Sequence, residues 1–264
     1  MKIVTWNINS VRLRLDLLLR LIAENEPDVI CLQETKVVDD AFPLKFLAER
    51  GFHHIKIFGQ KSYNGVAILS RLPLKNTGIR NSCAREDCRH IFAELPDGIE
   101  LHCIYVPAGG DIPDPIANTK FAHKLQFLDE LADWWPSRVA GGRPMIMVGD
   151  LNVAPLEHDV WSHKQMVDVV SHTPIEVKKL SHIRESANWI DVARIFVPPE
   201  QKLYSWWSYR AKDWESSNRG RRLDHIWVTP PLANSLNACT TLRAARGWEP
   251  KPSDHVPVIA EFSI

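Results

Sequence analysis

The side chains of this protein that are able to do chemistry stand where apolar runs end. Ile3-Val4-Thr5-Trp6 gives way to Asn7 and Asn9, Val29-Ile30-Cys31-Leu32 to Gln33 and Glu34, the run from Leu101 to Ile104 to Tyr105, and Ile146-Met147-Val148 to Asp150 and Asn152. Asp224 and His225 open the run Ile226-Trp227-Val228, and Asp254 and His255 precede Val256. These are hard oxygen donors plus histidine. If the carboxylates of Glu34, Asp150, Asp224 and Asp254 converge, each like-charge pair at about 4 Å and an effective dielectric near 20 costs on the order of 4 kcal/mol. A divalent cation relieves that repulsion. Amide and carboxylate oxygens favour Mg²⁺ or Mn²⁺ over zinc, and such ions serve phosphate chemistry. His255 is suited to orient or deprotonate a water, with a carboxylate on its other ring nitrogen. Each residue taken singly has a plainer reading. An Asp before a strand is commonly a turn or cap residue, Asn7 and Asn152 are turn formers, and Tyr105 is a half-buried sheet residue. Convergence at strand ends favours the chemical reading, but periodicity alone does not establish it.

The elements that must carry these residues follow from patterning. Lys2 to Ile8 reads as a strand, and Val11 to Glu24 as a helix with Leu15, Leu18, Leu19 and Ile22 on one face and Ser10 as its N-cap. Pro27-Asp28 turns the chain into the short buried strand Val29 to Leu32. Further strands are expected at 55–58, 66–69, 91–95, 101–106 and 145–148, a helix at 121–135, and late strands at 204–209, 223–228 and 256–262. Strands outnumber helices and several are apolar throughout, which fits sheets covered on both sides and hence a layered α/β fold. In such folds sites gather at strand ends, where a rigid sheet fixes them and loops leave them open. No linker, repeat or long charge run divides the chain, so one domain over residues 1–264 is expected.

Composition narrows the classes. The 264 residues are 45% hydrophobic and 24% charged, which is ordinary for a globule and excludes disordered or fibrous chains. No apolar run approaches the roughly 18 residues of a membrane span, and the first seven residues lack an apolar signal segment. The expectation is a cytoplasmic protein with no membrane partner. With 32 basic and 32 acidic residues there is no global basic field, although a local basic face suffices for nucleic acid. The five cysteines include no Cys-x-x-Cys pair, so buried thiols are expected instead of a disulfide framework or zinc knuckle.

Four segments are distinctive together: PDVICLQETK (27–36), GDLNVAP (149–155), NRGRRLDHIWV (218–228) and SDHVPV (253–258). With KIVTWNINSVR (2–12), GVAILS (65–70), YVPAGG (105–110) and YSWWSYR (204–210), they resemble the exonuclease III family of AP endonucleases, within the endonuclease/exonuclease/phosphatase superfamily. The resemblance spans residues 2 to 258. It implies a four-layered α/β sandwich: two mixed, mostly antiparallel sheets packed face to face and flanked by helices, with one metal-dependent site. It implies a monomer that cuts duplex DNA 5′ to abasic sites, with 3′–5′ exonuclease and 3′ end-cleaning phosphodiesterase or phosphatase activity on blocked 3′ ends. Mg²⁺ is the implied cofactor, with Mn²⁺ as a substitute.

Carried over position by position, Glu34 matches the family's main metal ligand, and Asn7, Asp150, Asn152, Asp254 and His255 its other metal-site positions. Asp150 matches the residue that activates water and Asn152 the one that stabilises the transition state. Asp224 and His255 match the carboxylate–histidine pair, and Tyr105 the tyrosine near the scissile phosphate. Asn9 and Arg12 match loop positions near metal and DNA. Trp206 and Leu223 would line the apolar pocket for a flipped abasic sugar.

Between Lys202 and His225 the chain carries Lys202, Arg210, Lys212, Arg219, Arg221 and Arg222 against Asp213, Glu215 and Asp224, interleaved with Trp206, Trp207 and Trp214. This reads either as a solvated loop or as a DNA-facing one with basic side chains on phosphates. Three departures from the family pattern stand out: Ala108 where Asn is common, Arg221 where a bulky apolar residue is common, and Asp191-Val192-Ala193-Arg194. They leave the balance among the family's activities open. Two other readings are a phosphoesterase for small or lipid phosphates and a catalytically dead nucleic-acid-binding relative. LQETK with the Trp-rich basic loop argues against the first, and the complete residue set against the second.

Overall fold

The structure, a computed structural model, describes residues 1–211 and 213–264. Lys212 of the basic stretch therefore lies outside the described residues. In chain order the elements begin β1 (Lys2–Asn7), α1 (Leu15–Asn25), β2 (Val29–Gln33), α2 (Leu44–Ala48), β3 (His54–Phe58), β4 (Val66–Ser70), β5 (Lys75–Ile79), β6 (His90–Glu94) and β7 (Glu100–Tyr105). Then come α3 (Thr119–Arg138), β8 (Met145–Asp150), α4 (His163–Met166), α5 (Pro174–Ser186), β9 (Ile190–Asp191) and α6 (Val192–Phe196). The last are β10 (Trp206–Trp207), α7 (Trp214–Ser217), β11 (Gly220–Arg221), β12 (Asp224–Val228), β13 (Leu236–Thr241) and β14 (Val258–Phe262).

Among the described residues, strands form two six-stranded sheets, ordered β13-β14-β1-β2-β4-β3 and β5-β6-β7-β8-β12-β9, and a small β10-β11 ribbon. The pairs β1/β2 and β7/β8 are parallel and the other pairs antiparallel. Side-chain alternation along each strand makes four layers. Ile3, Val29, Cys31, Ile68 and Val258 of the first sheet meet Ile91, Leu101, Cys103, Ile146, Val148 and Ile226 of the second in the central core. The opposite faces carry Val4, Trp6, Ile30 and Leu32 under Leu17, Leu18, Leu21 and Ile22 of α1. They also carry Ile104, Met147 and Trp227 under Phe127, Leu131 and Trp135 of α3 and Leu180 and Ile183 of α5. Among the described residues, no helix is long and apolar enough to cross a membrane.

Two local expectations are corrected. The first helix starts at Leu15, not Val11, and Ser10 is not its N-cap. Ser10 N donates to Glu34 O (2.7 Å) and Val11 N to Thr35 O (3.1 Å), so this stretch is tied to the segment after β2 and cannot begin the helix. The strand expected over 204–209 shrinks to Trp206–Trp207, which pairs with Gly220–Arg221 on one side and, on the other, only through the single bridge Trp206–His255, made by Trp207 N donating to Asp254 O and Val256 N to Ser205 O. Trp189, Trp207, Trp227 and Trp248 are buried core residues, while Trp206 and Trp214 are half-buried.

Candidate active site

The strand alternation that fills the central core continues into the site. On β7, β8 and β12 the inward series Leu101-Cys103, Ile146-Val148 and Ile226-Val228 extends in steps of two to Tyr105, Asp150 and Asp224. These three stand side by side, since Asp150 pairs in register with Tyr105 and with Asp224. On the facing sheet Ile3 and Thr5 lead to Asn7, and Cys31 leads to Gln33, one residue before Glu34. The polar site is thus the open end of the inter-sheet core. Gly149 makes the register feasible: a Cβ there would lie 1.8 Å from Ile104 O.

The sequence-expected residues divide into three groups by contact. Asn7 joins the two sheets, its Nδ2 donating to Glu34 Oε1 (3.0 Å) and to Asp150 Oδ2 (2.9 Å). Tyr105 OH donates to Glu34 Oε1 (2.8 Å), and Lys36 Nζ, not singled out from sequence, pairs with Glu34 Oε2 (2.7 Å) and Asn9 Oδ1 (2.6 Å). Burial works against the Glu34 carboxylate, but Lys36, Asn7 and Tyr105 hold its pKa below the usual value. Burial, then the charges of Glu34 and Asp150, push the Tyr105 phenol well up, so it stays a donor.

The second group surrounds Asp150. Asn152, in the left-handed region with φ 53°, donates its backbone N–H to Asp150 Oδ1 (2.9 Å). Its Nδ2 donates to Asp150 Oδ2 (3.1 Å) and Val106 O (2.9 Å). His255 Nδ1 meets Asp224 Oδ2 at 2.8 Å, and its Nε2 lies 3.6 Å from Asp150 Oδ2. Burial opposes charge on His255, yet Asp224 and Asp150 prevail and raise its pKa, keeping it an imidazolium. Asp150 is itself raised by burial and by the charges of Asp224 and Glu34. Ser205, missed from sequence, donates Oγ–H to Asp224 Oδ2 (2.6 Å) and accepts the N–H groups of Leu223 and Asp224.

The third group forms the walls of a cleft of about 820 Å³ reached by Glu34, Asp150, Asn152 and His255. Asp254 accepts from Asn9 Nδ2 and Trp206 Nε1, both at 3.0 Å. Trp206 and Leu223 pack with Met166, Val160 and Trp161 in a small apolar cluster on that cleft. Arg221 lies over the Trp206 ring (5.0 Å) and donates to Val170 O (3.1 Å) and Ser171 Oγ (2.9 Å), so it is a braced wall residue. Arg12 is exposed beside the Asn9 loop. Arg222, counted in the basic stretch, is 1% exposed and bound to Asp159 and Asp191, so it contacts no phosphate. Asp191 and Arg194 of the divergent segment serve this same network, Arg194 pairing with Asp159.

The donor set suits a hard divalent ion. Carboxylate oxygens of Asp150 and Asp224 lie within 4.8 Å of each other and of a His255 ring nitrogen, and Asn7 links this cluster to Glu34. Asp224 Oδ1 is buried without a hydrogen-bond partner. The raised pKa of Asp150 and the Lys36 ammonium on Glu34 both mark excess negative charge that a cation would neutralise.

A profile of the endonuclease/exonuclease/phosphatase family matches residues 4–255. The chain is 32% identical over 276 residues to exodeoxyribonuclease III of Haemophilus influenzae, with 99% of this chain and 100% of that protein covered. Among solved structures it is similar to an AP endonuclease from Archaeoglobus fulgidus (34% identity, TM-score 0.91). It is also similar to a 3′ phosphatase from Neisseria bound to a product DNA hairpin (31% identity, TM-score 0.91). Each covers 100% of both chains.

Proposed function

The chain belongs to the endonuclease/exonuclease/phosphatase family, and from that premise we propose that it is a metal-dependent DNA repair nuclease. It hydrolyses the phosphodiester 5′ to abasic sites in duplex DNA, trims 3′ ends as an exonuclease, and cleans blocked 3′ ends as a phosphodiesterase or phosphatase. The proposal extends to a monomeric, single-domain, cytoplasmic enzyme with Mg²⁺ as its ion and Mn²⁺ as a substitute. The observation that carries it is the Asn7 amide bridging Glu34 and Asp150 beside the Asp224–His255 pair, at the floor of one cleft.

Glu34, Asn7, Asp150, Asn152 and Asp254 are the residues that would hold the ion, which would lend Lewis acidity to the scissile phosphate; His255, sequence-matched to the same set, keeps both ring N–H groups and stands beside the ion as a charged donor, not as a ligand. Asp150, with its raised pKa, accepts the proton of a water set for in-line attack. His255, with Nδ1–H fixed on Asp224, turns Nε2–H toward the cleft as a charged donor for the negative charge that grows on phosphate oxygens. Asn152 spends both amide protons on Val106 and Asp150. Its part is to exchange the Asp150 bond for a phosphate oxygen as Asp150 takes up the water proton. Tyr105 gives its one phenolic proton to Glu34 and so holds that carboxylate in place beside the scissile phosphate. The apolar wall of Trp206 and Leu223 suits a base-less sugar, whose extrusion forfeits little stacking, and Arg221, Asn9 and Arg12 face the DNA strand.

The test uses labelled abasic and intact duplexes, a 3′-phosphate duplex and an inositol phosphate, each with Mg²⁺ and with chelator. Mg²⁺-dependent incision of the abasic strand is expected. Hydrolysis of the inositol phosphate alone would transfer the assignment to a small-phosphate esterase, and binding without cleavage to a dead relative.

A further inference from the structure

Directly behind the site lies a buried ion pair that the chemistry above does not use. Lys124 on α3 and Glu176 in the first turn of α5 are both 0% exposed, with Nζ and Oε1 2.5 Å apart. Such a pair is a weak source of stability, because desolvating two charges offsets their attraction and well-packed apolar residues do as well. Its hydrogen bonds show another use. Lys124 Nζ donates to Asn152 O (2.7 Å) and to Ala108 O (3.3 Å). Glu176 accepts Ser171 N at 2.9 Å and 3.0 Å on its two oxygens, and the Thr173 hydroxyl at 2.6 Å.

Three loops that line the cleft, after β7, after β8 and before α5, thus converge on one ammonium and its counter-ion. Arg221 joins them through Ser171 Oγ. The loop after β7 closes onto the lysine stem only because residue 109 is glycine: its φ is +91° and a Cβ would lie 2.9 Å from Lys124 Cδ. Asn152 is held in its left-handed conformation at both backbone ends, by Asp150 on its N–H and by Lys124 on its carbonyl.

We propose that Lys124, seated by Glu176, is a positioning residue for phosphodiester hydrolysis, whose grip on the Asn152 carbonyl aims the Asn152 side-chain amide at the reacting phosphate. What the amide does there rests on the nuclease reading; its placement by Lys124 does not, and the two are tested apart. Lys124→Met combined with Glu176→Gln removes both charges at nearly constant volume. In the metal-free protein without DNA, the Asn152 side-chain amide signal in ¹H–¹⁵N spectra, identified by its loss in Asn152→Gly, is expected to move or multiply while signals of β3 stay in place. On an abasic duplex with Mg²⁺, kcat is expected to fall on the order of 10²-fold, with KM and DNA affinity held within about threefold. The loss is expected to vanish in an Asn152→Gly background, because the two residues act through one group.

An unmoved amide signal, a kcat within about threefold of the parent, or a full further loss in the Asn152→Gly background each overturns the proposal. If the first variant melts below the assay temperature, Lys124→Gln with Glu176→Gln, which keeps a hydrogen-bonding side chain on each partner, is judged by the same three criteria. A parent protein that cleaves no DNA defeats the nuclease reading, while the amide spectra still decide the placement.

Discussion

Asp224→Asn tests the electrostatic core of the mechanism. Asp224 Oδ2 lies 2.8 Å from His255 Nδ1, with both side chains buried. At an effective dielectric near 20, unit charges at that distance attract by about 6 kcal/mol. Burial of the imidazolium opposes this, and Asp150 and Asp254 remain as weaker partners after the substitution. About half to two-thirds of the gross attraction is therefore expected to disappear as net effect, ~3–4 kcal/mol, or a fall of two to three pH units in the His255 midpoint. From about 10 the midpoint then drops to about 7–8, so near pH 9 the variant presents a largely neutral ring to the phosphate while the parent ring keeps its charge. Loss of one such donor costs on the order of 10²- to 10³-fold in kcat. The sign of the pH dependence follows: the deficit is smallest in mild acid, where His255 regains its proton, and widens as pH rises. Single-turnover cleavage of an abasic duplex measures the rate across pH, and ¹⁵N shifts of the His255 ring in the metal-free protein report its protonation. A variant ring still doubly protonated at about pH 9, or a rate within about threefold of the parent there, would refute the reasoning.

Asp150→Asn removes the proposed proton acceptor and is expected to lower turnover by roughly 10³-fold or more while the DNA dissociation constant stays within about threefold; near-normal cleavage rejects the role. Glu34→Ala also frees Lys36 and Tyr105, and is expected to raise the Mg²⁺ concentration for half-maximal activity by about tenfold or more, read from a metal titration of cleavage rate. In acid, His90, His102, His123, His172 and His225 all have pKa values lowered chiefly by burial, so the unfolded chain binds protons that the fold excludes. His255 is raised and acts in the opposite sense. Stability should therefore fall as pH drops below about 6.5, by up to ~1.4 kcal/mol per pH unit for each net proton taken up. A second loss is expected as pH falls from the unfolded Glu range toward about 2, where Glu100 takes up a proton and its contacts with Arg138, Arg143 and His102 lose its negative charge. Denaturant melts of the metal-free protein from neutral to acid pH check this, and a flat profile contradicts it.

Much of the site was legible because strand alternation and side-chain chemistry are both written along the chain. The series Leu101-Cys103-Tyr105 and Ile146-Val148-Asp150 announce an inward face that ends in a polar group. The missed α5 had a signal in Thr173-Pro174-Ile175-Glu176, a capping box with proline at its first turn. The missed β5 and β13 had little, since exposed or half-buried strands carry weak alternation. The displaced start of α1 was not readable, because Ser10 and Val11 are held by Glu34 and Thr35 from a distant part of the chain.

The basic stretch shows the limit most sharply. Arg210, Arg219, Arg221 and Arg222 look alike in sequence, yet Arg222 is sealed between Asp159 and Asp191 while the other three line the cleft. Lys124 gave no local sign of its place beneath Asn152, and Ser205 none of its place on Asp224. By itself the sequence determined which donors exist and which face of each strand they share, because backbone geometry repeats every two residues. Only the tertiary structure decided which strand ends meet, which charges lose their water and which find partners. Those outcomes depend on distances between segments more than a hundred residues apart, as in the Asn7–Asp150 contact.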